Sequence, residues 1–359
     1  MPRATGTGEA RTYASLDWLK LILSLAIVCI HADLWRGEPP VILWCAVPLF
    51  FVMSSYFFWC RAGQLDRKER RAALGKFLLR SGRLYLFWFI LLLPLTLAIR
   101  DYLSAGVGTG VWHLIRDLLF GSTFRSSWFL SALCLGMVIV YLLSVRLPAW
   151  AVLLLTLPAY LLCCLFHNYY GLIADCGWLI RLYQGYLSIF GTFANSFPEA
   201  LFWVALGRWL AGRAKKAPGS RPAGRLVVRL ILTGLCVGLL VGEKYLVDSI
   251  GGAVALNFYV SLVPLCALSF PLLRDMPWPA CMSGPCLTGT LRRLSTVTFC
   301  LHASVITVVD ALLRRLFPAG EGWHRAVTVL ITLAVCLAAY GVFTLLERHR
   351  PFRFLKYAH

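Results

Sequence analysis

Residues 16–35, LDWLKLILSLAIVCIHADLW, decide how this chain is read. A helix needs roughly 20 mainly apolar residues to cross a bilayer, and this run has that length. Yet it carries Asp17, Lys20, His31 and Asp33. Ionisable groups are costly in a membrane and mark functional positions by default. Their spacing adds to this. Lys20 and His31 are eleven residues apart, which at ~100° per residue returns to nearly the same helix face. Lys20, Ser24, Ile27 and His31 therefore form one stripe, with Asp17 one turn before Lys20. Such a stripe belongs against a cavity inside a helix bundle. Along the axis Lys20 and His31 stand roughly 16 Å apart. A cation near one membrane face can meet an anionic donor. An imidazole, with its unperturbed pKa nearest neutrality, suits removal of a proton from a hydroxyl. Two blander readings stay open: Lys20 snorkels to the headgroups, and His31 is a satisfied interfacial residue. Asp33 reads as a loop residue or a helix-end anchor. It could instead orient His31, although a spacing of two puts it on another face.

Composition agrees with the membrane reading. The 359 residues are 59% hydrophobic and 14% charged, with a mean hydropathy of +0.74. Soluble domains carry about 25% charged residues. A soluble enzyme, a disordered chain and a disulfide-stapled secreted domain are excluded. The fold class expected is all-α: a polytopic membrane helical bundle forming one domain over residues 1–359. Ten spans are read, at about 16–36, 40–60, 84–103, 127–145, 149–166, 190–210, 226–243, 251–273, 294–313 and 326–346. Losing two weak spans together would leave eight and the same sidedness. With both termini in the cytoplasm, 25 of the 35 Lys and Arg residues fall inside and nine outside. That satisfies the positive-inside rule. It also explains the formal charge of +19 without nucleic acid, which is not expected as a partner. Residues 1–15 are polar and lack a cleavage site, so no removed signal peptide is expected. The stretch from Arg213 to Gly224 is a short basic loop.

The remaining candidates are weaker. Most of the 13 cysteines lie in apolar runs, where Cys acts as a small apolar residue. Cys281 and Cys286 share a loop without a nearby His, so neither a metal site nor a disulfide framework is expected. Residues 61–83 hold eight bases: Arg61, Arg67, Lys68, Arg70, Arg71, Lys76, Arg80 and Arg83. They read as a topological loop touching anionic lipid, or as a phosphate site, for which Arg80 and Arg83 are best placed. His302 falls near mid-membrane, and Asp310 either lines the same cavity or ends its helix at the surface. Glu199 after Pro198 reads as a helix start. Glu243, Lys244 and Asp248 read as an outer loop. Trp112, Trp128, Tyr169, Tyr170, Trp178, Tyr183 and Tyr186 form an interfacial belt or a sugar-stacking surface.

Taken together, these residues resemble the acyltransferase-3 family of integral membrane acyltransferases. Its first helix begins with an Asp, then a basic residue, ten more residues and a His, matched here by Asp17, Lys20 and His31. Lys20 stands where Arg is commoner and lacks the bidentate fork. VPLFFVMSSYFF (47–58) is similar to the second-helix run, with Ser54 matching and Ser55 in place of a small Gly. FLLRSGRLY (77–85) resembles the basic start of the third helix. SSWFLSAL (126–133) resembles the Trp-aromatic-Leu start of the fourth, at Trp128. TVTFCLHASVI (296–306) resembles the late-helix run, keeping His302 but with Phe299 for Tyr. No appended hydrolase-like domain is seen, so a standalone form is expected.

The resemblance implies transfer of an acyl group, often acetyl, from cytoplasmic acyl-coenzyme A to a hydroxyl or amine of a cell-surface glycan or related molecule. On this reading Lys20, Arg80 and Arg83 hold the donor's phosphates. Asp17 holds Lys20, and His31 is the base or a transient acyl carrier. Ser54, Trp128 and His302 line the substrate cavity, and no metal takes part. The expected location is a bacterial cytoplasmic membrane. The rival reading is a transporter of a small polar solute, which also needs ionisable groups at depth and predicts Gly/Pro-interrupted helices in two related halves. Pro198 and Pro264 suggest such a pair, but the halves do not otherwise look alike. A scaffold subunit without chemistry would tolerate changes at both Lys20 and His31.

Overall fold

The structure, a computed structural model, describes residues 13–102, 104, 106–215, 223–276, 278–317 and 323–359. Arg3, Arg11 and most of the basic stretch after Arg213 lie outside the described residues. Twelve α-helices follow in order among those described. They are α1 (Ala14–His31), α2 (Ala46–Ala62), α3 (Arg67–Ile99), α4 (Val107–Leu119), α5 (Trp128–Ser144) and α6 (Ala149–Phe166). Then come α7 (Gly177–Phe190), α8 (Phe197–Lys215), α9 (Ala223–Ile250), α10 (Leu262–Asp275), α11 (Pro285–Leu316) and α12 (Trp323–Leu346). There is no strand among the described residues. Each of the ten expected segments holds a helix. Seven helical stretches are long and apolar enough to cross a membrane, in α1, α2, α3, α6, α9, α11 and α12.

Helix ends depart from the expected spans where the backbone forbids continuation. Gly191 and Asn195 have φ of 79° and 53°, so α8 starts at Phe197 and not at 190. Gly251 and Gly252, both at φ 70°, hold the chain out of a helix until Leu262. The basic segment expected as a loop is mostly helix. Asp66 caps α3 by accepting the Glu69 N–H at 2.8 Å, and the Glu69 side chain closes the capping box. Glu243, Lys244 and Asp248 likewise belong to α9 and not to a loop. There Glu243 accepts from the Tyr169 hydroxyl and the Val260 and Ser261 amides, a set of partners that satisfies its carboxylate.

Two helices were not foreseen. α4 and α7 have 13 and 14 residues, too short for a ~30 Å hydrocarbon core. Trp112 and Trp178 project outward from them, as interfacial aromatics do. Tyr183 and Tyr186 instead turn inward, Tyr183 stacking on Phe166 at 4.3 Å.

The core is built on α2 and α8, which pack along their length, with α5 and α6 on the other sides of α8. Close approach depends on Gly207 of α8. A Cβ there would stand 2.6 Å from the Val52 carbonyl oxygen and 2.7 Å from the Ser55 Cβ. Small residues at helix crossings allow this packing in membranes. Ser55, which stands where the second-helix run has a small Gly, is fully buried, and its hydroxyl donates to the Val204 carbonyl at 2.6 Å. The partner helix thus supplies the missing glycine. α1 packs on α11, which also packs on α12. α3, α9 and α12 bury little of their apolar surface. Side chains such as Leu230, Ile231, Leu235 and Leu239 stand more than half exposed on α9, as lipid-facing residues do. After α12 a short 3-10 segment, Arg350–Ala358, folds back on α3, where Trp88 donates its indole N–H to the Ala358 carbonyl at 3.1 Å.

Candidate functional site

α1 runs from one end of the bundle to the other and lines a different cavity at each. The first holds about 950 Å³ and receives Lys20. It is basic: Arg80 of α3, Arg292 and Arg293 of α11, Arg348, Arg353 and Lys356 line it, with Glu347 the one acidic side chain among the described lining residues. Glu347 is already engaged, by Arg293 at 3.0 Å and by the His359 imidazole at 3.3 Å. Burial, with Arg293 alongside, lowers the His359 pKa from its ordinary value. Asp17, buried beside it, forms ion pairs with Lys20 at 3.6 Å and with Arg292 at 3.5 Å. Lys20 also lies 5.1 Å from the Phe57 ring centre, so its position is set on two sides. A cavity with this excess of cations suits a polyanion, and guanidinium groups suit phosphate. Its lining also includes the apolar rings of Phe50, Phe129 and Phe299, and Ser54.

The second cavity, about 590 Å³, receives His31 at the far end of α1. Trp44 and Trp128 form apolar faces. Arg100, Arg116, Arg125, Asp117, Asn195 and Glu199 supply polar groups. Asp117 accepts from Arg100 at 2.7 Å, from Arg116 at 3.3 Å and from the Tyr102 hydroxyl at 3.0 Å. Burial raises the Tyr102 pKa to about 12, so it remains a donor to this carboxylate. Glu199 sits in the first turn of α8, as its sequence context suggested, and accepts the Asn195 N–H at 3.2 Å.

Between the cavities α1 is packed solid. Ser24 and Ile27, the middle of its stripe, are buried. Beside them Phe50, Phe129 and Phe299, from α2, α5 and α11, meet with ring centres 5.0–6.2 Å apart. On the far side of this layer His302 lies 6.1 Å from Phe299 and 5.2 Å from His31. His302 is fully buried, with its Nδ1 at 2.9 Å from the Thr298 carbonyl and its Nε2 without a partner. The Nδ1–H tautomer satisfies that carbonyl and leaves the Nε2 lone pair free. His31 makes no hydrogen bond to the protein among the described residues and is open to the far cavity.

The expected site residues thus separate into groups. Asp17, Lys20, Arg80 and Ser54 gather at the basic cavity; His31 and Trp128 gather at the far one, with His302 behind them. Arg83 joins neither and lies against the Tyr357 ring at 5.3 Å. Asp33 does not orient His31, because it pairs with Arg325 at 3.0 Å. Asp310 pairs with Arg314 at the surface. Arg292, Arg293, Arg353 and Lys356 were legible in the sequence only as topological charge. Only folding brings them to Lys20.

A bundle with a polar stripe crossing it between a basic cavity and a histidine pair is the frame of a membrane-embedded enzyme or carrier. The chain belongs to the acyltransferase-3 family: the family profile, described as an acyltransferase domain, matches residues 13–342. It is also 25% identical over 243 residues to a serine/alanine racemase of Enterococcus gallinarum, covering 64% of this chain and 33% of that protein. An amino-acid racemase of Enterococcus faecalis is 24% identical over 136 residues, covering 36% of this chain and 19% of that protein. The chain therefore spans a third or less of the length of these curated relatives. No solved structure matches it.

Proposed function

We propose that this protein is a multi-pass membrane acyltransferase of a bacterial cytoplasmic membrane. It would take an acyl group, in the simplest case acetyl, from acyl-coenzyme A at the basic end. It would deliver the group to a hydroxyl or amine of a glycan or related envelope molecule at the far end. One observation carries this reading: a single helix sets Lys20 in a cation-rich cavity and His31 in a separate polar cavity, with Phe50, Phe129 and Phe299 packed between them. The excess of basic residues at the first end supports a cytoplasmic position for it. The donor's phosphates bind among Lys20, Arg80, Arg292 and the Arg353–Lys356 segment. Its flexible thioester arm passes between Phe50, Phe129 and Phe299, whose rings must turn to admit it.

At the far side His31 has two routes. As a base it takes the acceptor's O–H proton while that oxygen attacks the thioester carbonyl, and coenzyme A leaves as a thiolate that is then protonated. As a carrier its nitrogen attacks first and releases coenzyme A, and the acceptor then displaces the imidazole. His302, in ring contact, holds the orientation of His31 in both. Racemisation, named for relatives that share a third or less of their length with this chain, is not transferred to it.

The test is coenzyme A release by the full-length protein in lipid nanodiscs supplied with acetyl-coenzyme A and envelope glycan. His31→Ala should lower release about a thousandfold, the scale of a lost acid–base group, while leaving insertion intact. Unchanged release in that variant ends the assignment. A stoichiometric burst of coenzyme A before acceptor is added identifies the carrier route; strict dependence on acceptor identifies the base. Cavities that open toward opposite ends also fit a solute carrier. Solute uptake by vesicles, without coenzyme A release, would select that reading.

A further inference from the structure

The charges of the far cavity do not balance. Arg100 and Arg116 share Asp117, and Glu199 is occupied by the Asn195 amide. Arg125 lines the same cavity, and no carboxylate among the described residues pairs with it. It is exposed to the cavity while its chain neighbours are buried. Its backbone is held firmly: the Ser126 hydroxyl donates to the Phe299 carbonyl at 3.2 Å, and the Thr123 amide donates to Ser127 Oγ at 2.9 Å. The guanidinium is thus carried by the loop fastened to the aromatic layer, on the cavity that His31 also lines. A guanidinium at the cavity wall that no carboxylate engages is free to meet an anion entering there.

We propose that the far cavity takes an acceptor bearing a carboxylate or phosphate, and that Arg125 binds this anion and so presents the acceptor's hydroxyl to His31. The inference rests on the acyl-transfer reading for its second half only, since anion binding at Arg125 is measurable without any donor. The guanidinium fork suits both groups, by paired N–H···O bonds. The neighbouring Trp44 and Trp128 offer flat apolar faces for the body of a sugar-like acceptor.

Three probes share a pyranose and differ in charge: methyl β-D-glucuronide, glucose 6-phosphate and methyl β-D-glucoside. With the full-length protein in nanodiscs and acetyl-coenzyme A, kcat/KM for at least one anionic probe should exceed that for the glucoside about tenfold, the worth of one charge-assisted contact. The favoured probe distinguishes carboxylate from phosphate as the natural group. Arg125→Gln should bring the ratio close to one. Arg125→Lys should keep part of it, more for the phosphate than for the carboxylate, because Lys is a point charge without a fork. Equal values for all three probes, or a preference that survives Arg125→Gln, overturns the proposal. A uniform fall for all three in Arg125→Gln also overturns it, since Arg125 would then act on the thioester carbonyl. Binding of radiolabelled glucuronide without donor, competed by the phosphate or the glucoside, separates the two layers. Arg125-dependent anion binding without coenzyme A release sustains the anion site and removes the transferase reading. Release without Arg125-dependent binding or preference does the reverse.

Discussion

The two cavities on α1 hold their charges in opposite ways. At the basic end the cations outnumber the carboxylates, come from α1, α3, α11 and the C-terminal segment, and ride on long side chains around a large opening. At the far end three arginines are balanced in part by an interlocked Asp117–Tyr102 network, and one guanidinium is left over. The first arrangement binds a diffuse polyanion by summed field. The second places single groups by geometry. The difference matches the proposed roles, in which a donor's phosphates need summed charge and an acceptor needs orientation.

That contrast can be tested directly. Lys20→Ala should raise the KM for acetyl-coenzyme A by about 10- to 100-fold, as expected for a lost charged contact of ~1.5–3 kcal/mol, with acceptor KM little changed. A matching rise in acceptor KM would show that the cavities are not independent. Gly207→Val should instead disturb both together. α2 lines one cavity with Phe50 and Ser54 and the other with Val47 and Pro48, and a side chain at 207 pushes α2 away. A cost of about 1–3 kcal/mol, read as a lower thermal midpoint in detergent, is expected from overpacking. Raising salt from about 50 to 500 mM should weaken donor KM severalfold and acceptor KM less, because summed surface fields screen more than a desolvated pair. Arg83→Ala should be the mildest change, under about twofold in donor KM, because its contact is with Tyr357 and not with the cavity.

Much of α1 was legible because its information is local. Helix period alone aligns Lys20 with His31, and an i, i+3 spacing alone pairs Asp17 with Lys20. Apolar runs near ~20 residues located ten of the twelve helices. α4 and α7 escaped because a short amphipathic helix has meaning only at the interface it lies on. The basic segment before Arg83 was mistaken for a loop, since charge suggested solvent while Asp66 and Glu69 supplied a helix cap. The close seat of Ser55 was not legible, because its partner Gly207 sits on a helix remote in sequence.

The sequence by itself determined that the chain lives in a membrane, which helix carries ionisable groups through it, and how far apart Lys20 and His31 stand. Hydrophobicity and helical rise are properties of consecutive residues, so no partner is needed to read them. Only the tertiary structure decided that this stripe is divided in two, that Arg292 shares Asp17 with Lys20, that His302 meets His31, and that the Arg350–Ala358 segment returns to the basic cavity. Those are contacts between segments far apart in the chain. They are set by which helix faces can approach closely, as at Gly207, and by where buried charges find partners, as at Asp117.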